Sequence, residues 1–179
     1  MEEEIVVHDR TFVPYLSQAS IEASIKKIAE NISADYANKD PLFIAILNGS
    51  FMFASELFKQ LTIPAEICFI KLASYKGTTS SGHVITSIGL DVEVKGRHII
   101  ILEDILDTGK TLSTFLPQLH NMSPATLKIA ALLHKPEATI YNVPLDYNGF
   151  KIPDKFVVGF GLDYNGLGRN IPAIYQLKE

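Results

Sequence analysis

The chain has 179 residues, 47% of them hydrophobic and 20% charged, a size and composition that fit one globular domain with a buried core. Its 16 basic and 20 acidic residues leave a formal charge of -4, which argues against a general affinity for nucleic acid or an anionic membrane, so any phosphate binding must be local. The acidic start Met1-Glu-Glu-Glu, with no apolar run near the ~20 residues of a membrane span, predicts a cytoplasmic protein, and the single Cys68 excludes an internal disulfide.

In chain order, Ile21, Ile25, Ile28 and Ile32 recur at helical spacing with charged residues between them, so residues 20–38 are predicted to form an amphipathic helix that ends at Asn38-Lys-Asp-Pro41. Six apolar residues without alternation, 42–47, predict a strand buried on both faces. A turn at 48–50 follows, then Met52, Phe53, Leu57 and Leu61 at the spacing of a second helix packing back on that strand. Strands are predicted over 66–72, 98–102 and 126–133, with a helix over 111–120 that carries Pro117, where a kink is expected. Cys68, inside the apolar run 65–70, reads as an inert buried thiol. Residues 155–160 predict another short strand among segments rich in Pro, Gly and Tyr, which suggest a small appended lobe. The alternation of strands and helices predicts an α/β fold, a mainly parallel central sheet flanked by helices.

Ligands of such sheets gather beyond the carboxyl ends of the strands, which singles out the turns after Leu47, Leu102 and Leu133. The second is the most informative. In Glu103-Asp-Ile-Leu-Asp-Thr-Gly-Lys-Thr111 two adjacent acids at a strand end precede a helix start with a glycine and two threonines. The helix start suits a phosphate monoester; the acid pair offers only acceptors and suits ribose hydroxyls or a metal ion beside them. A ribose 5-phosphate spans both. Gly109-Lys-Thr111 also matches the end of a nucleotide-binding P-loop, but that pattern requires glycine where Asp104 stands, and three carboxylates in the loop would repel a triphosphate. An ordinary acidic helix N-terminus explains Asp107 as a cap but leaves the paired acids unexplained.

The same stretch resembles the phosphoribosyl pyrophosphate motif of the type I phosphoribosyltransferases, in the version with Glu-Asp-Ile that marks the hypoxanthine-guanine branch. The resemblance covers nearly the whole chain: Leu47-Asn-Gly-Ser50, Ser74-Tyr75, Leu132-Leu-His-Lys135, Ile152-Pro-Asp-Lys-Phe-Val-Val-Gly-Phe160, then Leu162-Asp-Tyr-Asn165 and Arg169. It implies the type I phosphoribosyltransferase fold as one domain over 1–179, with a small hood lobe built from the N-terminal segment and about residues 150–179. The implied reaction is attack of a purine ring nitrogen on C1 of phosphoribosyl pyrophosphate, with pyrophosphate leaving. The implied cofactor is Mg2+, and relatives form dimers and tetramers.

By that similarity Glu103 and Asp104 hold the ribose hydroxyls, directly or through magnesium. Asp107, Thr108, Gly109, Lys110 and Thr111 hold the 5-phosphate. Asp107 also sits near N7 of the purine as the catalytic proton carrier. Asn48 and Gly49 form the pyrophosphate loop, with a cis peptide implied at Leu47-Asn48, and Arg169 lies beside the pyrophosphate. Many relatives have lysine where Asn48 stands, so the loop here must rely more on backbone N-H groups. Phe156 stacks on the purine, Val157 contacts its edge, and Asp163 binds a second magnesium. Glu103, Asp104 and Asp163 are thus the implied metal ligands.

Two further readings join chemistry to the resemblance. The segment 74–82 is polar and rich in small residues; with Ser74 and Tyr75 it reads as a lid that keeps water from a cationic sugar, against the alternative of a plain surface loop, and His83 beside it as a solvated loop residue. Lys135, just past a buried strand, can donate to the oxygen at C6 of hypoxanthine or guanine; adenine presents a donor there, and two facing donors leave a hydrogen bond unmade. The rival readings are a transferase for xanthine or a pyrimidine, and a nucleic-acid-binding regulator on the same fold. The regulator needs a basic surface that the charge of -4 does not suggest.

Overall fold

The computed structural model describes residues 3–74, 84–88 and 90–179. In chain order the elements are β1 (Ile5–Val7), β2 (Arg10–Leu16), α1 (Gln18–Asp35), β3 (Leu42–Leu47), α2 (Phe51–Gln60), β4 (Glu66–Ser74), β5 (Val84–Ile88), β6 (His98–Leu106), α3 (Lys110–Asn121), β7 (Thr126–His134), β8 (Tyr147–Lys151), β9 (Val157–Val158) and β10 (Ile174–Leu177).

The unalternating strands form the middle of a six-stranded sheet in the order β5-β4-β3-β6-β7-β8, parallel except for the antiparallel edge strand β5. Helices cover both faces, which is why Phe43, Ile44, Ile100 and Ile101 are fully buried whichever way they point. Ile21, Ile25, Ile28 and Ile32 of α1 and Phe53 and Leu57 of α2 pack on one face. Leu112, Phe115, Leu116 and Leu119 of α3 pack on the other. The termini form a separate antiparallel sheet, β1-β2-β10-β9, over a small cluster around Phe12, Val158 and Tyr175. This is the expected hood.

Element boundaries depart from the sequence reading for identifiable reasons. Helix α1 begins before residue 20 because the Ser17 side chain caps it by accepting from the Ser20 N-H, and it stops at Asp35 because Asn38 and Asp40 have positive φ. Pro117 lies inside α3, which nevertheless runs unbroken to Asn121. The strand expected over 155–160 shrinks to Val157–Val158, because Gly159, Phe160 and Gly161 all take positive φ and turn the chain. Cys68 is half-buried rather than buried; burial pushes its thiol up to about 11, in keeping with an inert group. Of the predicted lid, Ser74 ends β4, while Tyr75 and the rest of 75–83 lie outside the described residues, His83 among them. Among the described residues no helix is long and apolar enough to cross a membrane.

One difference shapes the site. β6 was expected to end at Leu102; it continues to Leu106. Its pairing with β3 stops at Ala45–Leu102, but its pairing with β7 runs on to Leu106–His134. Glu103 and Asp104 are therefore strand residues, held by the β7 ladder, beside the space that β3 leaves when it turns at Asn48.

Candidate active site

That space is filled by the 48–50 turn. The Leu47-Asn48 peptide is cis, as the resemblance implied, and the buried Ser50 hydroxyl donates to the Ile46 carbonyl at 2.6 Å. A Cβ added at Gly49 would collide with the Asp104 carboxylate, and one added at Gly161 would collide with the Gly49 carbonyl. The turn is thus pressed between the acid-bearing strand and the hood segment around Gly161, where a positive φ and the facing backbone admit only glycine. The hood segment brings Arg169 with it: Gly161 N-H donates to the Arg169 carbonyl at 2.9 Å, and Arg169 Nη1 returns a bond to the Gly161 carbonyl at 2.6 Å. Asn48, Gly49 and Arg169, expected around one pyrophosphate, are brought to one place.

Burial, and then the charge of Asp104, raises the Glu103 carboxyl well above the usual range. The Asp104 carboxyl is pushed up to about 6 by burial; hydrogen bonds from the Ile105 N-H, at 2.9 Å, and from its own backbone, with the charge of Arg169, pull against this. Neither acid forms an ion pair among the described residues. Two half-covered carboxylates without a cation suit Mg2+, which typically takes one or two protein carboxylates and completes its shell with water and substrate oxygens. Among the described residues no three acidic, histidine or cysteine side chains form a metal cage, so Glu103, Asp104 and Asp163 do not make one cluster. Asp163 is otherwise engaged: one oxygen meets Arg169 Nη2 at 2.7 Å and the other accepts from the Gly166 N-H at 2.7 Å.

From the end of β6, residues 107–109 lead into α3 through Gly109, whose φ of 80° places it in the left-handed region. The Lys110 N-H donates to the Thr108 hydroxyl at 3.3 Å, and the other N-H groups of the first turn have no partner within the helix. A small open cleft of about 70 Å³ runs here from Glu103 past Asp107 and Gly109 to Thr111. No charged cap competes for it, so the loop offers N-H groups and hydroxyls to an anion. The loop is fixed from behind by residues 139–141, further along the turn after Leu133 that the sequence singles out: Ile140 and Tyr141 N-H groups donate to the Thr108 carbonyl at 3.1 and 3.0 Å, and the Thr139 hydroxyl lies 2.8 Å from the Asp107 carbonyl. No periodicity or composition marks 139–141 in the sequence.

Of the residues expected around the base, Lys135 adjoins this loop. Lys135 is 7% exposed, and its ammonium lies 3.6 Å from the Asp107 carboxylate and 3.2 Å from that of Asp154. A buried lysine needs such partners. Asp154 was missed by sequence reading, although it stands inside the Ile152-Pro-Asp-Lys motif. Val157 is buried in β9, opposite Gln176 of β10. Phe156 is 45% exposed, with its ring 5.8 Å from Tyr164 and 6.2 Å from Phe12. An exposed ring braced by two others is available to a planar partner.

A family model described as a phosphoribosyl transferase domain matches residues 15–165. The hypoxanthine-guanine phosphoribosyltransferase of Streptococcus pneumoniae is 42% identical over 166 residues, 92% of each chain. Among solved structures, a hypoxanthine phosphoribosyltransferase of Staphylococcus aureus superposes with a TM-score of 0.88 at 37% identity, over 93% of this chain and 91% of that one. The hypoxanthine phosphoribosyltransferase of Trypanosoma cruzi, studied for the role of its C-terminal region in oligomeric state and activity, superposes with a TM-score of 0.88 at 32% identity, over 97% and 95%.

Proposed function

Because the chain belongs to the phosphoribosyltransferase family, in its hypoxanthine-guanine branch, we propose a residue-level account of the reaction that this membership assigns to it. The reaction is purine salvage: the 5-phosphoribosyl group of phosphoribosyl pyrophosphate passes to hypoxanthine or guanine, and pyrophosphate leaves. The observation that carries the account is the buried Lys135 ammonium 3.6 Å from Asp107, which lines one cleft with Glu103 and the phosphate loop.

In this account the 5-phosphate sits on residues 107–111, where the start of α3 supplies N-H groups and hydroxyls. Glu103 and Asp104 face the ribose, so their negative charge favours the oxocarbenium character that develops at C1. Asn48, Gly49 and Arg169 hold the departing pyrophosphate, Arg169 offering the N-H donors that its bonds to Gly161 and Asp163 leave over. The purine lies against Phe156 and Val157 with its C6 oxygen on Lys135, and Asp107 holds the proton at N7. Lys135 then discriminates: a 6-oxopurine accepts from the ammonium, and a 6-amino group leaves a buried donor unpaired. Glu103 and Asp104 would hold one Mg2+ and Asp163, which lies apart from them beside Arg169, a second, and the ions would supply charge neutralisation for pyrophosphate.

The reading extends to one phosphoribosyltransferase domain over residues 1–179, a lid that includes Ser74 and Tyr75, a cytoplasmic location, and a homo-oligomer, dimer or tetramer. The similarity to the Trypanosoma cruzi enzyme, studied for the role of its C-terminal region in oligomeric state, supports the last of these. The deciding experiment is steady-state pyrophosphate release from phosphoribosyl pyrophosphate and Mg2+ with hypoxanthine, guanine, xanthine and adenine in turn. Release with the first two and little with adenine is expected. No release with either of the first two overturns the account.

A further inference from the structure

β7 ends at His134, and the chain then makes a tight turn in which the Ala138 and Thr139 N-H groups both donate to the Lys135 carbonyl at 3.2 Å. The turn brings the Thr139 hydroxyl 2.8 Å from that same carbonyl, 2.8 Å from the carbonyl of Asp107, and 3.3 Å from His134 Nε2. A hydroxyl has one proton and two lone pairs. With two carbonyl oxygens as near neighbours, the proton must be shared between them, which leaves a lone pair to accept from the ring. A hydrogen bond between the two then requires His134 to carry its proton on Nε2. Burial and the charge of Lys151 lower its pKa, in keeping with a neutral ring.

The two carbonyls belong to the two residues assigned to opposite sides of the purine, Asp107 at N7 and Lys135 at the C6 oxygen. On that reading of the site, we infer that Thr139 is a positioning residue: its hydroxyl ties the backbones of Asp107 and Lys135 together and so fixes the spacing between the proton carrier and the base-selecting ammonium. The adjoining bonds divide the labour. Ile140 and Tyr141 N-H groups hold the Thr108 carbonyl, and with it the phosphate loop, without help from Thr139. Loss of the hydroxyl thus loosens the purine side of the site and leaves the 5-phosphate seat in place.

The separation can be measured. Thr139→Val keeps the side-chain shape and removes the hydroxyl; Thr139→Ser restores it. For Thr139→Val, kcat/KM for hypoxanthine is expected to fall about tenfold while the KM for phosphoribosyl pyrophosphate stays within about twofold, and Thr139→Ser should remain near the parent in both. A general loosening of the fold would raise both KM values and lower kcat together. The inference is overturned by a Thr139→Val enzyme with unchanged hypoxanthine kinetics, by a KM for phosphoribosyl pyrophosphate that rises in step with the loss, or by Thr139→Ser failing as badly as Thr139→Val. A reading independent of any variant is the tautomer of His134 in the parent protein by nitrogen-15 NMR: an Nε2-H ring agrees, and an Nδ1-H ring overturns the bridge. A parent enzyme that transfers to neither 6-oxopurine overturns the proposed activity and this inference with it, whereas an active parent with an unaffected Thr139→Val removes the inference alone.

Discussion

Lys135 shows how much one side chain can decide. An ammonium at 7% exposure is held by two carboxylates, Asp107 at 3.6 Å and Asp154 at 3.2 Å, and donates wherever a purine places an acceptor. Lys135→Ala removes the donor and leaves two acids facing the pocket, so the preference for hypoxanthine over adenine, measured as a ratio of kcat/KM, should narrow by about tenfold or more. An unchanged ratio would place the discrimination elsewhere. Asp107 calls for a different experiment, because its side chain is half exposed and its backbone, through the bond to Thr139, is fixed independently of its charge. Asp107→Asn keeps the shape but cannot take up a proton, so turnover should fall by roughly 10²–10⁴ while phosphoribosyl pyrophosphate binding, followed by calorimetry, changes little. Parallel losses of both would make Asp107 a binding residue only.

At the scale of elements, what was legible in the sequence is what short-range physics determines. The apolar run 42–47 became β3 with those bounds, and the isoleucine spacing found α1 to within a few residues. Continuous burial and helical periodicity are local signals. The acid-bearing end of β6 was hidden because charged residues read as loop, and only the ladder to β7 makes them strand. Of the hood, a strand over 155–160 was foreseen and shrank to β9, but β1, β2 and β10 were not, because β1 has three residues and β2 finds its partner β10 at the far end of the chain. The candidate site divides in the same way. Residues 103–111 and Lys135 stand in contiguous motifs, whereas the parts played by Asp154, Thr139 and Gly161 depend on contacts 19, 32 and more than 100 residues away. Gly161 gives the element-scale prediction. With φ of 99° and its missing Cβ facing the Gly49 carbonyl, Gly161→Ala both strains the backbone and pushes the 48–50 turn toward Asp104. Pyrophosphate affinity in the presence of Mg2+ should drop about tenfold or more; an alanine variant that binds pyrophosphate normally would show that the hood does not set the turn.

For the whole molecule, the acid pair sets activity against stability. Burial raises the Asp104 carboxyl from an ordinary 3.8 to about 6, and raises Glu103 in the same direction, so folding disfavours the ionised forms. The sign follows by linkage. A folded-state pKa above the unfolded one means that the unfolded chain releases its proton first, so the ligand-free fold is favoured below about pH 4 and loses that advantage as pH rises through about 6. For Asp104 alone the loss at neutral pH is roughly 3 kcal/mol at most, a sizeable share of the ~5–15 kcal/mol by which a domain of this kind is stable. Asp104→Asn removes the buried charge without changing the shape. Without ligands, its melting temperature at pH 7.5 should exceed the parent's by several degrees, and the two should converge near pH 4. Adding Mg2+ and phosphoribosyl pyrophosphate should reverse the order, because only the carboxylate gains a cation on binding. If Asp104→Asn melts at or below the parent at pH 7.5 without ligand, Asp104 is not a strained acid awaiting a metal; if it melts higher and is inactive, the instability of the empty site is a consequence of the charge that binding requires.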